Sequence, residues 1–370
     1  MSFEVKVLSN YQYPIIYLKD HSNNCEAEIY SFGGLLNSYT VSVNNNPFNI
    51  IDGFESIEDA VNNITTAFKG AKLSPFVCRM NHGKYQLNEQ TYQVEKFYLQ
   101  PHAIHGIIYD AVFSIVSTNA DEINAEVVLQ YQYNGSDKGY PFAYTMEITW
   151  RLEKNQQLRV STKVNHSNNN AIPFADGWHP YFNLGKDGID HCTIQFGSQH
   201  MFQFDDTLIP TGFIIEDLRF ENETSLQNVQ LDNCFLLNNE ETANCILKNK
   251  QLQLTITPDN SYPYLQIYTP PHRQSIAIEN CHLLCKFITD KNCYPKASSE
   301  DNFERSLNTF MQNQRSNKLN KSQGIWYPVL DQITSAYNLN SLFNEVNYEA
   351  ICNEKVHELC KFILSNIRMP

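Results

Sequence analysis

Positive charge is scarce in this 370-residue chain, where 27 Lys and Arg stand against 40 Asp and Glu for a formal net charge of −13. A field of that sign repels phosphate backbones and anionic headgroups, which excludes nucleic acid and membrane surfaces as partners held by overall charge. A neutral or weakly charged ligand is expected instead. Long apolar runs are also missing, since none approaches the roughly 20 residues that span a bilayer. The opening MSFEVKVLSNYQYP lacks the basic, apolar and small-residue order of a secretory signal. A soluble, cytoplasmic protein is expected. The group Cys281, His282, Cys285 and Cys293 has no second Cys-x-x-Cys pair to complete a recognised zinc spacing. The ten cysteines therefore read as reduced, mostly buried thiols, and no metal site is expected.

What is present is alternation. From about residue 3 to 280 the dominant period is two, as in half-buried strands. In YTMEITWRL the residues Tyr144, Met146, Ile148, Trp150 and Leu152 share one face. VVLQYQY repeats the pattern with Val127, Leu129, Tyr131 and Tyr133, QLRVSTKV with Leu158, Val160 and Val164, and LQLTIT with Leu252, Leu254 and Ile256. Turn-forming clusters separate these runs at 134–139, 165–170 and 257–263. The fold class expected is all-β, a large antiparallel β-sandwich. One helical excursion is predicted at SIEDAVNNITTAF, where Ile57, Val61, Ile64 and Phe68 follow helical spacing and Ser56 with Asp59 resembles a capping box. Near residue 285 the alternation stops, and a polar, Asn-rich stretch leads to helical spacing at Val356, Leu359, Cys360 and Ile363. The expected division is a β-sandwich domain over 1–285 and an atypical extension over 286–370, partly helical or poorly ordered.

Five polar residues stand in unusual company. Arg79, between an apolar run and a glycine turn, is either a surface or ion-paired arginine or a rigid fork of donors for hydroxyls or a carboxylate. His102 and His105 in PHAIHG lie in a loop, where a hydrogen-bonded structural histidine competes with a site residue and a metal pair is weakly supported. His179 in DGWHPYFNLG is a core histidine or a proton carrier, and its neighbours Trp178, Tyr181 and Phe182 could supply flat surfaces for a sugar. Asp232 before an apolar run suits a turn or cap. Glu279 ends the apolar strand SIAI, where a carboxylate is costly unless hydrogen bonded or used, and where burial would raise its pKa toward that of a base.

In order, the segments SPFVCRMNHGKYQLNEQTYQV, PHAIHG, GWHPYFNLG, FDDTLIPTG, LDNCFLL and YLQIYTPPHRQSIAIEN resemble the aldose 1-epimerase family, the galactose mutarotases, over about residues 5–281. The resemblance implies a many-stranded antiparallel sandwich that binds a monosaccharide with no metal or organic cofactor. It implies sugar contacts for Arg79 and His105, hydroxyl binding for Asp232, proton donation to the ring oxygen by His179 and a base role for Glu279. Anomers would interconvert by acid–base ring opening and reclosure. Two departures stand out. HGII replaces the histidine and two glycines usual in galactose-specific members, and the stretch after Glu279 shows no short loop and closing strand. The basic run Lys69, Lys72, Arg79 and Lys84 offers a phosphorylated hexose as an alternative substrate. A non-catalytic carbohydrate-binding sandwich is a further alternative.

Overall fold

The computed structural model describes residues 2–88, 90–238 and 244–282. The predicted extension over 286–370, together with Cys285 and Cys293, lies outside the described residues. Within them the chain is built from antiparallel strands, and one α-helix interrupts the strands. No helix among the described residues is long and apolar enough to cross a membrane. The six described cysteines are all free of disulfides, and all but Cys78 are buried.

The alternation read from the sequence becomes a four-stranded meander of Ser114–Ala120, Asn124–Tyr133, Tyr144–Glu153 and Gln157–Asn165. Tyr144, Met146, Ile148, Trp150 and Leu152 are all buried, as their common face requires. Leu158, Val160 and Val164 are only half-buried, because their strand ends the order and has a paired neighbour on one side. The turn at 134–139 is tied down by the Asp137 carboxylate, which accepts from the backbone N–H groups of Glu95, Lys96 and Gly139 at 3.0, 3.0 and 2.8 Å. That is the Asx chemistry its composition indicates.

Helix α1 spans Ile57–Ala67. The Ser56 hydroxyl caps it by accepting from Asp59 N at 3.1 Å. The reciprocal half of the predicted capping box is displaced by one residue, since Asp59 accepts from the Glu55 rather than the Ser56 backbone, at 3.1 Å. Phe68, predicted as the last apolar helical position, is instead the C-cap at φ 53°. This left-handed turn swings its ring off the helix and onto Phe97, His105 and Tyr109, with centroids at 5.5, 4.7 and 5.1 Å. Helix termination thus builds one wall behind His105.

An eight-stranded antiparallel sheet carries His179, Asp232 and Glu279. Its strands are β1 (Ala71–Leu73), β2 (Gly177–His179), β3 (Tyr181–Phe182), β4 (Ser198–Phe204), β5 (Pro210–Glu216), β6 (Asp232–Leu237), β7 (Tyr264–Tyr268) and β8 (Ile276–Cys281). The spatial order is β5-β4-β6-β7-β8-β2-β1, with β3 also on β8. The meander packs against this sheet through Trp150, whose ring meets Trp178 edge-on at 5.4 Å and whose indole N–H donates to Gly34 O at 3.0 Å. Trp178 in turn donates from its indole to Gly70 O at 3.2 Å. Because Trp150 is fully buried and ties two layers together, Trp150→Ala should lower stability by about 3–5 kcal/mol, read as a lower urea midpoint with an unchanged slope.

Candidate active site

Strand register assembles the site. Gly177 on β2 pairs with Cys281 on β8, so two residues further along each strand His179 comes opposite Glu279. Glu279 pairs with Gln266 on β7, and Gln266 with Cys234 on β6. Side chains in one such row emerge on the same face. The next row, Asp232, Tyr268, Ala277 and Tyr181, follows the same pairing. Sheet pairing therefore sets Asp232, Glu279 and His179 on one face, although they come from separate stretches of chain.

Arg79 and His105 are delivered by a second pairing. Arg79–Met80 lies antiparallel to His102–Ile104, with Arg79 opposite Ile104. His105 follows at φ 62°, and Gly106 after it at φ 81°. A Cβ on Gly106 would stand 2.2 Å from Ser74 O, so glycine is required there. The His105 backbone N–H donates to Cys78 O at 3.0 Å. Its ring meets the His179 ring edge-on at 5.0 Å. The left-handed conformation of a non-glycine residue is sterically unfavourable by about 1–3 kcal/mol, and here it aims an imidazole at a neighbouring one.

His179 Nε2 lies 3.3 Å from Glu279 Oε1, with the two residues 4% and 2% exposed. Burial drives Glu279 well above the ordinary carboxylate range; Cys78 and Asp232 add to the rise, and Arg79 opposes it. Burial lowers His179 to about 4. His105 also falls well below its ordinary value, by burial first and then through His179 and Arg79. Burial thus favours the uncharged form of each partner, holding a proton on Glu279 to higher pH than usual and leaving His179 unprotonated at neutral pH. Asp232 is raised by burial, while Arg79 and a 2.8 Å hydrogen bond donated by Gln266 Nε2 pull it down. His105 Nδ1, Gln266 Oε1 and Glu279 Oε2 are buried and have no hydrogen-bond partner among the described residues. Such orphaned atoms are costly in an empty site and are satisfied by a polar ligand.

All five sequence-derived residues come together here. His179 and Glu279, which the sequence places a hundred residues apart, touch directly. Several companion expectations do not hold. Trp178 and Phe182 cannot line a sugar site with His179, because strand alternation sends them to the opposite face, where Trp178 packs on Trp150 and meets Phe182 at 6.3 Å. Only Tyr181 keeps company with His179, stacked at 5.1 Å. The basic run does not form a phosphate pocket. Lys69 bonds Asp52 at 2.6 Å, Lys72 is buried against Asp176 at 2.8 Å, and Lys84 is exposed. His102 takes the structural option, accepting from His82 N at 3.0 Å. Sequence reasoning missed Gln266, although a lone amide inside the apolar run YLQIY was a usable signal. It also missed Cys78, which joins Glu279 and Cys281 only in three dimensions.

The family profile described as Aldose 1-epimerase matches residues 15–307. The chain belongs to the aldose 1-epimerase family. Three solved structures share its fold. One is a galactose 1-epimerase from Lactobacillus acidophilus, at 18% identity and TM-score 0.67, covering 77% of this chain and 92% of that one. Another is an aldose epimerase homologue from C. elegans, at 18% identity and TM-score 0.65, covering 74% and 91%. The third is a galactose mutarotase-like protein from Clostridium acetobutylicum, at 16% identity and TM-score 0.67, covering 77% and 90%. At these identities the likeness is one of fold. No curated protein sequence matches the chain.

The buried carboxyl of this aldose 1-epimerase family member has a consequence for stability. Glu279 is protonated in the folded chain at pH values where it ionises in the unfolded one. Unfolding then releases a proton from Glu279, so this group's contribution to stability falls as pH rises above about 4.5, the ordinary glutamate value, while the lowered His179 and His105 act in the opposite sense. Glu279→Gln carries no such loss. Its melting temperature should exceed that of wild type at pH 7, with the gap closing as pH approaches 4.5. A constant gap between those pH values would contradict the burial argument.

Proposed function

We propose that the protein is an aldose 1-epimerase that interconverts the α and β anomers of a free hexose. The observation that supports this reading is the buried His179–Glu279 contact, in which burial pushes the carboxyl up and the imidazole down. O1 and O5 of a hexose are bonded to the same carbon, so an acid and a base in contact can serve both oxygens. Sugar hydroxyls arriving at the orphaned Glu279 Oε2 stabilise its carboxylate form, and the proton passes to His179. Glu279 then takes the proton of the anomeric hydroxyl while His179 delivers one to O5, and the C1–O5 bond breaks as the C1–O1 double bond forms. The pair keeps its proton count. Rotation about C1–C2 turns the other carbonyl face to the C5 hydroxyl, and reclosure with the roles reversed yields the second anomer. Arg79, His105 and Asp232 hold the hydroxyls during ring opening and stabilise oxygen charge as it develops.

Neutralisation of Lys69 by Asp52 and of Lys72 by Asp176 favours an uncharged hexose over its 6-phosphate. Polarimetry on α-glucose, α-galactose and their 6-phosphates separates the two, and a rate confined to the phosphorylated sugars would overturn the choice. Glu279→Gln should slow anomer interconversion by on the order of 10²–10⁴ while sugar binding persists by calorimetry. A fully active variant would remove Glu279 from the mechanism.

The pH profile is set by the pair as a unit. A second proton enters only as pH falls toward the lowered value of His179, about 4, and the single proton leaves only at the raised value of Glu279. The plot of kcat/KM should therefore have an acid limb well below 6.5, the ordinary histidine value. A limb at 6.5 would mean that the working histidine is not the buried one.

A further inference from the structure

Glu279 belongs to two clusters of metal-ligating groups. His105, His179 and Glu279 form one, and Cys78, Glu279 and Cys281 form the other, each with its ligand atoms within 4.8 Å of one another. The second follows from the fold. Glu279 and Cys281 are two apart on β8 and emerge on one face. Cys78, held at φ 52° beside Arg79, reaches them from another segment, while the Cys281 thiol donates to its own strand at Glu279 O, 3.7 Å. Two thiols and a carboxyl thus converge on one point, and the carboxyl atom Glu279 Oε2 is buried and unpartnered among the described residues.

We propose that Cys78, Cys281 and Glu279 form a binding site for a soft divalent cation, zinc or cadmium, and that its capture withdraws Glu279 from the acid–base pair. This rests in part on the function proposed above. Zinc–sulfur bonds of about 2.3 Å and zinc–oxygen bonds of about 2.0–2.2 Å set tetrahedral ligand atoms about 3.4–3.8 Å apart, so the cluster needs only a small contraction. Thiolate ligands select zinc and cadmium over magnesium and calcium. Binding displaces the thiol and carboxyl protons to solvent, and the metal–ligand bonds replace them. Arg79, which acts electrostatically on Glu279, offsets the excess negative charge of three anionic ligands around a dication. Cys78 is half-buried and gives the cation a way in, whereas every member of the histidine set is buried.

The test uses the full chain, titrated with Cd²⁺, Zn²⁺ and Mg²⁺. It is read by the ultraviolet thiolate-to-cadmium charge-transfer band and by the mutarotation rate. Inhibition of Cys78→Ser is read against that variant's own metal-free rate, so a change in basal rate does not enter the comparison. Cadmium and zinc should inhibit the wild type and magnesium should not. Cys78→Ser should raise the inhibitory concentration at least tenfold and lose one site's share of the cadmium band. Equal inhibition and an equal band in the variant would overturn the proposal. Equal inhibition with a diminished band would also overturn it, placing the inhibiting ion on the histidines. A wild type with no mutarotation at all defeats the proposed function instead, and the band still decides the metal site.

Discussion

The pairing of Gly177 with Cys281 determines where the proton-carrying side chains stand. Once those two residues are opposed, antiparallel geometry brings His179 to Glu279 and carries the row on to Gln266 and Cys234. A slip of one residue on either strand would exchange faces and bring Trp178 toward the site in place of His179. The slip is prevented from behind. Trp178 is locked between the Trp150 ring and Gly70 O, so packing between the two layers fixes the register that makes the site. Core and chemistry are two sides of the same strand.

The same arrangement puts stability and function in conflict. A carboxyl and an imidazole removed from water are both pushed toward their uncharged forms, Glu279 holding its proton to higher pH and His179 losing its own at lower pH than in water. Around it are left-handed backbone at Cys78 and His105 and several polar atoms without partners. Each of these disfavours the empty folded state, and together they concentrate at the point where a polyhydroxylated ligand can satisfy them. In the proposed reaction the close contact would let one pair serve ring opening in both directions, since donor and acceptor would differ only by a short transfer. The thiols beside Glu279 are what the proposed cation site adds to that carboxyl, since a metal ion would hold it as an anion.

Much of the architecture is legible in the sequence because it is local. The even-numbered apolar residues of Tyr144–Glu153 could face only a core, and they do. Ser56 had the side chain to cap a helix, and it caps one. Asp137 sits in a turn whose composition required such an acceptor. The same local logic failed at Phe68, where helical spacing continued into the residue that ends the helix. It failed again at Trp178 and Phe182, where adjacency in sequence was read as adjacency in space although a strand sends neighbours to opposite faces.

The sequence by itself determined the strand-rich class, the single helix in the described region and the identities of the five polar residues, because periodicity and isolated polar groups in apolar runs are visible along one dimension. It also carried the family resemblance through the order of its motifs. Only the tertiary structure decided that His179 and Glu279 are in direct contact, that Lys69 and Lys72 are consumed by Asp52 and Asp176, and that Cys78 reaches Glu279 and Cys281. Those facts depend on which distant strands pair and in what register. Desolvation, which sets the protonation of the site, exists only once the sheets have packed.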